Sequence, residues 1–142
     1  MGLLVGKVAL VTGAGNGIGR GIAQVLAAEG AAVLVTDIDP EAADHGAGEI
    51  ARSGRHAHAQ TLDVRDPGAA AAAARAAVDR LGGLDILVAN AGTTARQPFL
   101  EMEQAFFQDV LRTNLEGCFL TCQAAARVMV ERGRGGRIVT VS

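Results

Sequence analysis

Short apolar, β-branched runs recur along the chain, and a segment of helical character separates each from the next. Residues 8–12 (VALVT), Ala32–Asp37 (AVLVTD), 56–63, 85–90 (DILVAN) and 137–141 carry the strand pattern. Between them fall helical stretches at about 17–29, closed by Gly30, at 40–53 behind Pro40, at 66–83 and at 103–132. Asp66-Pro67 is an N-cap followed by a first-turn proline, and Gly82-Gly83 is a helix stop. Strands joined by helical crossovers are parallel, and apolar parallel strands need helices on both faces. The pattern therefore predicts one doubly wound α/β domain over residues 1–142, with no linker or composition break. The alanines at 69–74 read as a helix that lies close to the sheet, since Ala combines the best helix propensity with the smallest side chain.

The segment 103–132 shows the broadest apolar face. Leu111, Leu115, Cys118, Cys122, Ala125 and Met129 step by fours and threes, and Val110, Phe119, Ala126 and Val130 widen the stripe. Such width predicts two partners, the sheet on one side and another helix or subunit on the other.

Composition excludes several functions. A hydrophobic share of 49% over 142 residues fills a real core. The net charge of −2 offers no basic footprint, so no nucleic-acid partner is expected. No apolar run approaches the ~18 residues of a membrane span, and the apolar stretch in MGLLVGKV is too short for a signal peptide. Gly6 defeats a myristoylation site, and the expected compartment is the cytoplasm. Cys118 and Cys122 read as small apolar residues on one helix face, because no further ligand stands at metal spacing. His56 and His58 share a strand face without an acidic or cysteine partner, so no metal site is expected.

The chemistry sits at the strand ends. The first strand runs into Thr12-Gly13-Ala14-Gly15-Asn16-Gly17-Ile18-Gly19. A glycine-rich strand-to-helix turn lets backbone N–H groups and the positive helix end meet a pyrophosphate. The spacing is GxxxGxG, and the absence of a following Lys rules out a P-loop. Asp37 closes the second strand, where a carboxylate accepts from both hydroxyls of an adenosine ribose and repels a 2′-phosphate. Asn16 is uncharged where a base would hold that phosphate, so NAD is favoured over NADP. Asp63-Val64 and Asn90-Ala91-Gly92 end the third and fourth strands, and all of these converge on one crevice at the carboxyl edge of the sheet. Asn114, in RTNLEG, is a poor helix-interior residue beside the apolar stripe.

TGAGNGIG, Asp37, Asp63-Val64, ANAG at 89–92, TNLEG and GRIVTVS occur in the order of the short-chain dehydrogenase/reductase family, which the whole chain resembles. The resemblance implies a Rossmann-type sheet in the order 3-2-1-4-5 and hydride transfer between NAD(H) or NADP(H), of which Asp37 favours NAD, and a small alcohol or carbonyl compound. It implies that Gly13, Asn16, Gly17, Ile18 and Gly19 surround the pyrophosphate and adenosine, and that Asp37 and Ile38 flank the adenine ribose. Asp63 and Val64 would contact adenine, Asn90, Ala91 and Gly92 would border the nicotinamide-side ribose, and Asn114 would be a catalytic residue that helps position a relay water. Ala89 departs from the commoner Asn. The family's long helix packs against its counterpart in another subunit, so a homo-oligomer through 103–132 is expected.

The family's general acid is absent. Its Tyr-x-x-x-Lys pair has no counterpart, because the chain has no Tyr and its one lysine, Lys7, precedes the first strand. Ser142 matches the first residue of the family's serine step, so the orienting Ser is expected just after it. The chain is expected to be the cofactor-binding half of the enzyme, truncated after the fifth strand and inactive alone, without the C-terminal strands and helices of the family fold. Two alternatives differ in kind. One is a non-catalytic dinucleotide-binding or interaction fragment. The other is an S-adenosylmethionine methyltransferase, disfavoured by Thr12 before the loop and by the NAG step.

Overall fold

The computed structural model describes residues 2–94 and 96–142. Strands β1 (Val8–Val11), β2 (Ala32–Asp37), β3 (Ala57–Thr61), β4 (Ile86–Ala89) and β5 (Arg137–Thr140) form one parallel sheet in the order β3-β2-β1-β4-β5. This is the order that the family resemblance implies. The third strand is shorter than the pattern predicts, although Leu62 N still donates to Asp37 O at 2.8 Å beyond its end.

Helices α1 (Gly17–Ala28), α2 (Pro40–Arg52) and α3 (Pro67–Leu81) start and stop where local chemistry directs. Asp39 accepts from Glu41 N and Ala42 N ahead of α2, and Asp66 accepts from Gly68 N and Ala69 N ahead of α3. Each cap is followed by a first-turn proline whose missing N–H costs nothing there. Gly82 ends α3 in the left-handed conformation, φ 87°.

Alternating strand side chains divide the core into two layers. Ala9, Val11, Val33, Val35 and Val88 meet Ala23 and Ala27 of α1 with Ala47 and Ile50 of α2. Val8, Leu10, Leu34 and Leu87 meet Ala73, Ala74 and Ala77 of α3 with Ala125, Val128 and Met129 on the other face. The alanine run thus packs directly on the sheet.

The segment 103–132 differs from a single regular helix. It consists of α4 (Gln104–Leu111), a π turn at Arg112–Glu116 and α5 (Gly117–Glu131). A π turn accommodates an extra residue, which shifts which side chains before and after it share a face. Leu111 and Leu115 are 40% and 66% exposed, whereas Ala125 and Met129 are buried and Cys118 and Cys122 half-buried. The predicted continuous stripe is therefore two offset faces. The two sulfurs lie 4.0 Å apart, and burial, with a smaller contribution from Cys118, pushes the Cys122 thiol up to about 11. At neutral pH it is a protonated packing group. Among the described residues no group of three or more His, Cys, Asp or Glu is placed to hold a metal, and no helix is long and apolar enough to cross a membrane.

Leu34 is fully buried on a central strand. Leu34→Ala should destabilise the fold by about 3 kcal/mol through lost transfer energy and the cavity left behind, read as a lower urea midpoint with an unchanged slope.

Candidate functional site

After β1 the chain passes to the α1–α2 layer, and after β4 it passes to the opposite layer. The two exits diverge at the carboxyl ends of β1 and β4, the switch point where a doubly wound sheet forms its ligand crevice.

Four hydrogen bonds cross that crevice. Asn90 N and Ala91 N donate to Thr12 Oγ1 at 3.0 and 2.9 Å, while Asn90 Nδ2 donates to Thr12 O and Gly13 O at 3.1 and 3.2 Å. Gly13 has φ +60°, and a Cβ there would sit 2.8 Å from Ala91 Cα, so no side chain is tolerated where the two turns meet. The loop then crosses toward β2, where Gly15 N donates to Asp37 Oδ2 at 3.0 Å. Asp39 N donates to the other carboxylate oxygen at 3.1 Å, so Asp37 is oriented from two sides. Asn16 and Gly17 are exposed at the start of α1, while Gly19 is buried beneath the loop. Ile18 and Ile38 are 71% and 58% exposed on the flanks of the crevice.

On the far side, Asn114 stands in the π turn. Its Oδ1 accepts from Thr93 N at 2.7 Å, and its Nδ2 donates to Thr93 O at 3.0 Å. A Cβ on Gly92 would lie 3.3 Å from the same Oδ1. One acceptor and one donor position of the carboxamide are thus engaged by the segment leaving β4, and one of each remains free. Val64 is buried, Asp63 half-buried, and a Cβ on Gly117 would lie 2.5 Å from Val64 Cγ2. Gly117 therefore lets α5 approach the end of β3. The sequence-predicted residues assemble around one rim, from Asp63 through Asp37 and the glycine loop to Asn90 and Asn114.

The family model described as short chain dehydrogenase matches residues 7–142. The chain belongs to the short-chain dehydrogenase family. It is 40% identical over 144 residues to an L-rhamnose 1-dehydrogenase (NAD(P)(+)) of Azotobacter vinelandii, covering 99% of this chain and 56% of the relative. It is 40% identical over 136 residues to a galactitol 2-dehydrogenase of Agrobacterium fabrum, covering 96% and 52%. Among solved structures, a short-chain type dehydrogenase/reductase from Mycobacterium marinum superposes with a TM-score of 0.93 at 43% identity, over 96% of this chain and 56% of that one. A 7α-hydroxysteroid dehydrogenase complexed with NADH and 7-oxo glycochenodeoxycholic acid superposes with a TM-score of 0.91 at 40% identity, over 98% and 54%. The chain thus spans little more than half the length of these short-chain dehydrogenases.

Sequence reasoning did not single out Thr12, Arg65 or Gly117 as parts of this short-chain dehydrogenase site. A threonine ending a strand carries no signal of its own; its importance lies in which two N–H groups arrive from 78 and 79 residues away. Thr12 is 1% exposed, so Thr12→Val should leave both N–H groups unpaired and cost about 2–4 kcal/mol in urea unfolding. Thr12→Ser keeps the acceptor and should recover most of that loss.

Proposed function

We propose that residues 1–142 form the NAD-binding unit of an oxidoreductase that moves hydride between NAD and a small alcohol or ketone. The observation that carries this reading is the convergence of the glycine loop, Asp37 and Asn90 on the β1–β4 crevice. The residues suit a dinucleotide. First-turn N–H groups have no intrahelical acceptor, and the Asn16 side chain caps none of them, which leaves them for a pyrophosphate. The close-packed Gly13 allows backbone contact with such a group. Asp37 is pre-oriented as a ribose acceptor, and exposed Ile18 and Ile38 offer apolar cover to the adenosine. Asp63 and Val64 would meet the adenine, and Asn90, Ala91 and Gly92 the nicotinamide-side ribose. The bound nicotinamide would supply the hydride chemistry. Asn114 would hold Thr93 and the β4 exit in register beside it and help position a relay water.

The Asp37 carboxylate disfavours a 2′-phosphate, and Arg20, the base following the loop, is compensated by its ion pair with Glu49. One relative's name covers both cofactors, which makes Asp37 the residue to test. NADH should bind at least about tenfold more tightly than NADPH in a fluorescence titration, and Asp37→Ala should bring the two together. NADPH binding as tight as NADH would sink the NAD assignment, and no binding of either would sink the dinucleotide reading.

The whole enzyme's substrate is proposed to be a hydroxylated small molecule, consistent with relatives named for rhamnose and galactitol. With no Tyr, this chain alone should turn over none of them. The same absence supports the second reading, a non-catalytic dinucleotide-binding or interaction fragment. Two free cysteines suit a reducing compartment, in keeping with the cytoplasm.

Self-association through 103–132 belongs to the same proposal. Leu111, Leu115 and Phe119 line an open groove of about 680 Å³ with Gln108, Arg112 and Glu116. In a two-fold dimer through this groove, Arg112 and Glu116 beside the apolar residues would be able to pair reciprocally with the second copy. Light scattering should give a dimer or larger assembly, and Leu115→Glu should reduce it to a monomer. A monomeric parent at high concentration would overturn this contact.

A further inference from the structure

Arg65 follows Asp63 and Val64 on the loop that leaves β3, and its guanidinium folds back onto Asp63. Nε lies 3.0 and 3.2 Å from the two carboxylate oxygens, and Nη2 lies 2.8 Å from Oδ2. The backbone N–H of Arg65 donates to Oδ1 at 3.0 Å. Three N–H groups of one residue therefore engage a carboxylate with about four acceptor positions, and because the Nε hydrogen is shared between the oxygens, the position on Oδ2 that it reaches only at 3.2 Å is the one open to a further donor. Nη1 lies 3.2 Å from Asp109 Oδ1 on α4, and Arg112 of the π turn adds positive field. The Arg65 side-chain bond, against an opposing desolvation effect and with help from its backbone N–H and its charge, holds the Asp63 carboxyl below its ordinary range.

We infer that Arg65 is the positioning residue of the adenine end of the crevice. It pins Asp63 in one rotamer, ionised, with a single acceptor position left for the exocyclic amine of adenine. The inference rests on the dinucleotide reading above. Adenine presents an N–H donor where hypoxanthine presents a carbonyl acceptor. A fixed carboxylate with one open position accepts the first and repels the second, whereas a mobile, solvated one can turn away from the carbonyl. Lysine cannot substitute, because a point charge lacks the planar fork that holds both oxygens. A loop-stabilising role alone would leave base selectivity untouched.

The test uses the full chain and Arg65→Gln, Arg65→Lys and Asp109→Asn, with two measurements. The first is a carbon-detected NMR titration of Asp63 without cofactor. Wild type should titrate below the ordinary value of about 3.9, Arg65→Gln should move it upward, and Asp109→Asn should leave it close to wild type. The second is the ratio of dissociation constants for reduced nicotinamide hypoxanthine dinucleotide and NADH. That ratio should fall roughly tenfold in both Arg65 variants. It should stay within about twofold in Asp109→Asn, whose ion pair is exposed. If wild type binds neither dinucleotide, the dinucleotide reading falls and takes the inference with it. If wild type binds NADH but both Arg65 variants keep its ratio, the inference alone falls, whatever the Asp63 titration shows. Should Arg65→Gln fail to fold, Arg65→Lys decides by the same ratio.

Discussion

The crevice depends on how β1 and β4 are tied where the chain leaves them. Parallel neighbours at a switch point send their following helices to opposite faces, so beyond the Thr12 N–Val88 O bond at 3.0 Å nothing in the ladder itself holds the two exits together. Thr12 and Asn90 do so with side chains: a buried hydroxyl takes two backbone N–H groups, and a carboxamide reaches back to two carbonyls. Buried polar groups of this kind are costly when unpaired, so the arrangement tolerates little displacement. The glycine loop and the segment carrying Ala91 and Gly92 inherit their positions from it.

The rest of the rim is anchored outward from that tie. Gly15 N on Asp37 links the loop to β2, and the Asp37–Leu62 backbone bond links β2 to the residues before Asp63. Gly117 brings the long helical segment onto Val64, and Asn114, in the same segment, returns to Thr93 beside β4. Cover comes from small residues: alanines of α1 and α3 reach the sheet closely, so the helices lie near enough for such short side chains to bridge. Stability and site geometry therefore share contacts, and a change in helix packing is felt at the rim.

Much of this was legible in the residues. The strands, the parallel order carried by the family resemblance, the helix starts at Pro40 and Asp66-Pro67 and the Gly82 stop all rest on local rules that tertiary context did not override. The glycine loop, Asp37, Asp63 and Asn90 were legible because strand ends in such a sheet point to one edge. The long helix was not legible in the same way. Its stripe fits a regular period, yet the π turn around Asn114 shifts the register and leaves Leu111 and Leu115 outside the buried face. A single polar residue in a helix does not announce whether it faces water or holds a loop residue 21 positions earlier.

Sequence alone determined which chemistry stands at each strand end, because periodicity, caps and glycine spacing are properties of neighbouring residues. It also determined that no tyrosine is available among these residues to serve as the family's general acid. Only the tertiary structure decided which polar atoms are already engaged. One donor and one acceptor position of the Asn114 carboxamide go to Thr93, the hydroxyl of Thr12 accepts from Asn90 and Ala91, and most of the Asp63 carboxylate goes to Arg65. The physical reason is that hydrogen-bond capacity is finite and is allotted by proximity in space, which folding sets and residue order does not display.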